Sequence, residues 1–379
     1  MNSQQPIETW LDLVRHEIGP EQVERLRAMY RDRTPTQGEL IFTGDCEFAC
    51  QHCIYHPAYG KFNPGLSVGE WRRILRDLNE GLGIETFVYG GRSVTSDGLK
   101  VLAELRAMLP HARIGLIDNG ISLKPFRDEI ASLRLDWIDI SLDGMEAEHD
   151  RQRGRRGSFA EAMESLLWLA EHEVAAKINV LSCLTTINQH AIIPLVQFLN
   201  REGFTNVFIT PVSVSEGYRP DGSLQVLGAG FATFVETLQQ ALGTLDDAWL
   251  EINMFGIEYM RALAMEAPEL WQNFKPEDDH LTQKLTNGNN ELFVNYFPDS
   301  LTGIREFIVN TDGGVIVPKS MAKGKVPESE CPGNLLNQSA REIVTRLPYS
   351  HQFAFYEAAL QHEARAIKEM KWQLPIPVR

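Results

Sequence analysis

Three of the five cysteines in this 379-residue chain stand within eight residues, at Cys46, Cys50 and Cys53. Thiolates so close in sequence can converge on one metal centre, and soft sulfur donors suit zinc, copper or an iron–sulfur cluster. A closed zinc site needs a fourth donor, which His52 or His56 could supply. The spacing alone leaves both chemistries open. The other two cysteines differ in setting. Cys183 lies in the apolar run 178–184, where a reduced cysteine behaves as a small hydrophobe, and Cys331 lies in a Pro/Gly-containing loop segment.

The thiol cluster follows an apolar stretch at 39–43 that reads as a strand, and it opens a repeating pattern. Strands are predicted at 39–43, 84–89, 112–117, 136–142, 176–183 and 206–211, with another at 248–253. Between them, 67–80, 96–109, 123–132, 158–172, 190–202 and 227–243 carry apolar residues at helical spacing. Such a βα alternation predicts a mostly parallel sheet with helices on its outer face. Residues 1–35 read as two short helices broken at Gly19-Pro20. From 256 onward the pattern changes to strand-like pieces, a hairpin turn at 310–314 and two final helices. The expected division is a helical extension (1–35), a βα domain (36–255) and a small α+β domain (256–379).

Composition narrows the function. Hydrophobic residues make up 43% and charged residues 23%, as in an ordinary globular protein. Thirty-six basic against fifty-one acidic residues give a net charge of −15, which argues against nucleic acid as a partner. The N-terminus lacks a basic segment followed by an apolar one, and no long apolar run occurs, so neither a secretory signal nor a membrane span is expected. The cysteine pattern is not a disulfide framework and fits a reducing cytoplasm.

The CxxxCxxC spacing and four later motifs resemble the radical S-adenosylmethionine (SAM) enzymes. Tyr89-Gly90-Gly91-Arg92 stands where that family usually has Gly-Gly-Glu-Pro, with arginine replacing the glutamate. Asp118-Asn119-Gly120, then Ser141-Leu-Asp143-Gly144 with His149-Asp150 and Arg153-Gly154 after it, and the strand ending at Pro211 fall in the family's order. The resemblance implies a partial (β/α)6 TIM-like barrel. It implies that Cys46, Cys50 and Cys53 hold three irons of one [4Fe–4S] cluster, with the fourth iron open to SAM. Gly90, Gly91, Asn119, Ser141, Asp143 and Arg153 are then cofactor contacts, and His52 packs on the adenine side, with Phe42 and Phe48 among the residues shielding the cluster. One electron delivered to SAM, from a flavodoxin or ferredoxin, would yield a 5′-deoxyadenosyl radical that removes hydrogen from substrate.

Arg92 either turns to solvent or offers a cation to a substrate carboxylate or phosphate. Tyr89, Glu216, Tyr218 and Arg219 are further substrate candidates. The C-terminal region resembles the SPASM/twitch-type domain in outline but lacks the cysteines for auxiliary clusters, so one cluster per chain is expected. Phe293, Tyr296, Phe297 and Arg305 are the expected lid residues. A small-molecule substrate is the leading expectation, undergoing epimerisation, elimination, oxidation or rearrangement, with a peptide as alternative. Cys331 and Cys183 are candidate hydrogen donors in an epimerisation. A zinc-stabilised, non-catalytic interaction protein is the remaining alternative.

Overall fold

A computed structural model describes residues 5–53, 65–90, 93–212, 222–316 and 332–370. Its strands are β1 (Gln37–Ile41), β2 (Thr86–Gly90), β3 (Arg113–Asp118), β4 (Trp137–Ser141), β5 (Ile178–Leu184), β6 (Asn206–Pro211), β7 (Trp249–Phe255), β8 (Lys275–Glu277), β9 (His280–Asn287), β10 (Asn290–Phe297), β11 (Glu306–Val309) and β12 (Val315–Ile316). The helices before β5 are α1 (Pro6–Leu13), α2 (Pro20–Asp32), α3 (Val68–Leu82), α4 (Ser96–Met108), α5 (Arg127–Ser132), α6 (Glu146–Arg153) and α7 (Ser158–Glu171). After it come α8 (Ile192–Arg201), α9 (Ala229–Ala241), α10 (Ile257–Glu266), α11 (Pro268–Trp271), α12 (Ala340–Arg346) and α13 (Phe353–Glu369).

The described strands form one open sheet in the order β12-β11-β1-β2-β3-β4-β5-β6-β7-β10-β9-β8. Strands β1 to β7 run parallel, each next to its successor, as βα units of one hand require. Local signals delimit the crossovers. Ser67 and Glu70 form a reciprocal N-cap for α3, and Gly83, in a left-handed conformation, stops it.

The described C-terminal strands join the same sheet as the βα units. Strand β10 adds parallel to β7 and β11 adds parallel to β1, so the segment after 256 extends the barrel sheet at both edges. The hairpin partners β9 and β12 then pair antiparallel outside them. Their short, alternating sequences carry no mark of which edge they will join.

Strand alternation sorts side chains onto two faces. One face, with Leu40, Phe87, Ile114, Ile138, Val180, Val207, Leu250 and Leu292, is buried under the helices as the main core. The opposite, inner face follows the register Glu39–Val88–Gly115–Trp137 and Asp139–Asn179, then Phe208–Glu251–Phe293. It is polar and aromatic along much of its length.

The N-terminal helices are fastened to the last one. Trp10 Nε1 donates to Glu363 on α13 (2.7 Å), and Ser300 gives both its N–H (3.1 Å) and its hydroxyl (2.5 Å) to the same carboxyl. Burial pushes Glu363 up to about 8, Asp299 adds to the shift, and the hydrogen bonds oppose it. A carboxyl raised in the folded state stabilises fully below its unfolded value, about 4.3, and that contribution is lost as pH rises through about 8. Glu363→Gln should therefore be less pH-sensitive over this window. Urea unfolding at pH 6 and pH 9 should show the wild type losing stability relative to the variant at the higher pH.

Candidate active site

The cysteine loop leaves the C-terminal end of β1 and is held down by the loop and helix after β4. Gln51 N–H donates to the Gln152 carbonyl (3.1 Å), and Cys53 N–H to the Cys50 carbonyl (3.2 Å). Gly154 ends α6 at φ +68°, and a Cβ there would sit 3.0 Å from the Ala49 carbonyl oxygen. Only glycine combines that conformation with so close an approach. Arg155 adds an ion pair to Glu47 (3.1 Å) and lies over the Phe48 ring (5.3 Å). These contacts place Cys46 and Cys53 against a small cluster of Phe48, Cys50 and Ile121.

Asp143 anchors the floor of this region. It is fully buried: Arg153 Nε donates to Oδ2 (2.6 Å), and Cys183 N–H donates to Oδ1 (2.8 Å). Its own N–H donates to His149 Nδ1 (3.0 Å), and Asn188 Nδ2 donates to its carbonyl (2.6 Å). Burial alone would push the carboxyl up, but Arg153 and then His52 outweigh it and hold Asp143 down at about 2. Burial pushes His149 down to about 4, which keeps its ring neutral and Nδ1 able to accept. The Cys50 thiol is pushed up to about 11 by burial, against the charge of Arg153. Arg153 is thus the cation that favours thiolate at the loop.

These positions revise several expectations. Asp143 and Arg153 are bonded to each other beneath the cysteine loop. His52 turns its Nε2 toward Asp143 (3.7 Å), and burial pushes its pKa down to about 4. Asn119 spends its side-chain oxygen on the N–H groups of Ile121 (2.8 Å) and Ser122 (3.1 Å), folding the loop after β3. Tyr89 belongs to the helix-side core, its hydroxyl donating to the Ser93 carbonyl (3.0 Å), and so cannot line a substrate cavity. Phe42 packs on Trp71 and Tyr89 on that same side, whereas Phe48 lies beside Cys50. Tyr296 likewise packs against Trp10, away from any lid.

Ser141 and Cys183 lie on the inner face at the C-terminal ends of their strands, where Cys183 pairs with Thr210. Cys183 is half-buried and its carbonyl accepts from Gln152 Nε2 (2.9 Å) and Asn188 Nδ2 (2.8 Å). Gly90 ends β2 on the same face, and a Cβ there would run into the Glu39 side chain. Gly91, Arg92, Glu216, Tyr218, Arg219 and Cys331 lie outside the described residues.

The inner face holds groups that motif reading missed. Asp139 accepts from Trp137 Nε1 (3.2 Å) and Asn179 Nδ2 (2.7 Å). Glu251 accepts from Trp249 Nε1 (2.9 Å), and Thr282, Asn295 and Asn253 form a hydrogen-bonded row beside it (2.6 and 2.9 Å). Phe255, Phe297 and His280 stack at the C-terminal end of this wall, with centroids 5.1 and 4.6 Å apart. The strict alternation in Trp249-Leu-Glu-Ile-Asn-Met-Phe255 was the available signal.

The residues fit a cluster held by three thiolates, since Cys46, Cys50 and Cys53 share one packed loop beside a buried cation. Among the described residues, no three His, Cys, Asp or Glu side chains already converge as a metal site.

Residues 40–199 match the model of the Radical SAM superfamily. The sporulation killing factor maturation protein SkfB of Bacillus subtilis is 28% identical over 159 residues, 41% of this chain and 37% of that protein. The GTP 3′,8-cyclase of Staphylococcus carnosus is 28% identical over 179 residues, 45% of this chain and 52% of that enzyme. The chain thus matches between about a third and about half of these relatives' lengths. The crystal structure of Streptococcus suis SuiB bound to S-adenosylmethionine superposes with a TM-score of 0.61 at 15% identity, covering 84% of this chain and 68% of that one. At that identity the likeness is one of fold: an α/β partial barrel.

Replacing Arg153 by Met leaves Asp143 buried without its cation. The expected cost is about 3–5 kcal/mol of folding stability, read by urea unfolding. Adding Asp143→Asn to that variant should restore part of it, because the two sites share one interaction.

Proposed function

We propose that this chain, which carries a radical SAM domain over residues 40–199, is an enzyme that uses one [4Fe–4S] cluster and SAM to activate a C–H bond of a small molecule. The observation that carries the reading is the loop of Cys46, Cys50 and Cys53, packed with Phe48 and Ile121 beside the Asp143–Arg153 ion pair. When bound, the cluster and SAM supply a radical able to remove hydrogen from an unactivated carbon. The chain's own residues do the rest. Arg153 favours the thiolate state, Gly90 lets its backbone come close to a ligand, and Ser141 offers a short polar group at the strand end.

The inner face supports a small polar substrate, because Asp139, Asn179, Glu251, Asn253 and Asn295 give it many fixed hydrogen-bonding groups. Besides the loop the sequence has only Cys183 and Cys331, too few to hold a second cubane. A ribosomally made peptide is the second reading, favoured by the relative that is named a maturation protein. The reductant is a one-electron donor of the flavodoxin or ferredoxin type, and a reducing cytoplasm suits the free thiols of the loop. No described helix is long and apolar enough to cross a membrane.

Cys183 is the hydrogen donor this reading favours, since its main chain is clamped by Asp143, Gln152 and Asn188 on the inner face. Its S–H would give a hydrogen atom to a substrate carbon radical, and the sulfur would regain an electron and a proton from the reductant and solvent. Cys331 is the competing donor.

Alanine at Cys46, Cys50 or Cys53 should each remove most bound iron and abolish 5′-deoxyadenosine formation under dithionite. A single variant with full iron and full turnover contradicts the assignment. For Cys183→Ala and Cys331→Ala, reactions in deuterated solvent distinguish the donors. The Cys183 variant should lose solvent deuterium from the product carbon, and an unchanged isotope pattern in it removes Cys183 from the reaction.

A further inference from the structure

The helix that seats the cysteine loop, α6, runs into the densest basic stretch of the chain. Arg151, Arg153, Arg155 and Arg156 fall within six residues, and no acidic residue interrupts them. This strip follows the loop residue by residue. The Gln152 carbonyl accepts from Gln51 N–H (3.1 Å), Gly154 faces the Ala49 carbonyl, and Arg155 pairs with Glu47 (3.1 Å). The four arginines have separate fates. Arg153 turns inward to Asp143, and Arg155 holds both Glu47 and Glu161 (3.0 Å) while lying over Phe48. Arg151 and Arg156, one at each end of the strip, are exposed and make no ion pair among the described residues. The neighbouring Asp150 spends its carboxylate on the start of α7, accepting from the Ser158 hydroxyl and the Phe159 N–H (both 2.9 Å).

The outward side of the loop runs between these two cations. Phe48 and Cys50 are buried, whereas Glu47, Ala49 and Gln51 alternate with them and are exposed. Cys46 and Cys53 are themselves only half-buried. The thiols therefore come close to solvent along this strip. Electron transfer weakens steeply with distance, so a donor protein must dock where the metal-binding loop is nearest the surface. Charge adds a second condition. The chain carries a net charge of −15, which repels an acidic carrier except where a local patch is positive. Electron-transfer complexes bury little surface, and complementary charge governs how fast they form.

We propose that Arg151 and Arg156 form the docking surface for an acidic electron-carrier protein that delivers one electron at the cysteine loop. The inference rests on the proposed function, which supplies the cluster that receives the electron. The carrier is oxidised by one electron as the cluster is reduced by one, and no atom or proton changes hands. Arg155, fixed by Glu47 and Glu161, holds the strip against the loop between the two docking cations.

The test uses the full-length, reconstituted protein and reduced flavodoxin as the probe, with oxidation of the flavin followed by anaerobic stopped flow. The second-order rate of the wild type should fall steeply as salt rises. Reversing both cations, Arg151→Glu with Arg156→Glu, should slow it at least about tenfold at low salt and flatten the salt dependence. Arg151→Lys with Arg156→Lys should keep the wild-type rate, because docking needs the charge and not the guanidinium fork. A control pair, Lys177→Glu with Arg201→Glu, changes the net charge equally at exposed positions just before β5 and at the end of α8, and should slow the reaction far less. Iron content and 5′-deoxyadenosine formation under dithionite, a reductant that needs no docking, should match the wild type in every variant. The docking surface is overturned if the Arg151→Glu, Arg156→Glu protein keeps the wild-type flavodoxin rate, or if the control pair slows it equally. A wild type that cleaves no SAM under dithionite removes the proposed function instead, and the docking surface with it.

Discussion

The ion pair between Asp143 and Arg153 is the constraint on which the candidate site depends. Asp143 is fully buried, so its charge must be met inside the protein, and Arg153 meets it at 2.6 Å. The remaining carboxylate oxygen fixes the backbone of Cys183, and Asn188 ties the Asp143 carbonyl to the following turn. One buried charge therefore aligns the ends of β4 and β5 and the start of α6. That alignment presents Gln152 to Gln51 and Gly154 to Ala49, which seats the cysteine loop. The same guanidinium supplies the positive potential that thiolate ligands need.

Around this anchor the sheet divides its labour by side-chain parity. Residues facing the helices are apolar and give the fold its stability, while residues facing the interior are polar, amide-rich and aromatic. A face built only for stability would not fix two carboxylates with indole and amide donors, as Asp139 and Glu251 are fixed. Such rigid polar groups suit recognition of a ligand, because their geometry is set before binding. The C-terminal strands enlarge this face by adding β10 and β9 beside β7, which brings Phe297, His280 and Asn295 into it.

Much of this was legible in the sequence. The parallel strands β1 to β7 fall at or within about two residues of the predicted segments, because each is a short β-rich run between amphipathic helices. The cysteine spacing and the Ser141-Leu-Asp143-Gly144 motif picked out the segments that pack around Asp143 and the cysteine loop. Side-chain direction was less legible. Tyr89 stands immediately before Gly90 in a motif, yet it points to the opposite face, since neighbours along a strand alternate. Asp143 was legible as important, but its role became visible only once Arg153, His149 and Cys183 were brought together across the chain. The edges joined by β10 and β11 were not legible at all, because pairing partners far apart in sequence leave no local trace.

The central claim is that the three-cysteine loop holds an iron–sulfur cluster with an open position for SAM. Electron paramagnetic resonance of the anaerobically reconstituted, dithionite-reduced protein, recorded before and after adding SAM, tests it most directly. The account predicts about four irons per chain and a reduced-cluster signal whose g-values shift when SAM is added. Stoichiometric zinc with no such signal, or a cluster signal that SAM leaves unchanged, would contradict it.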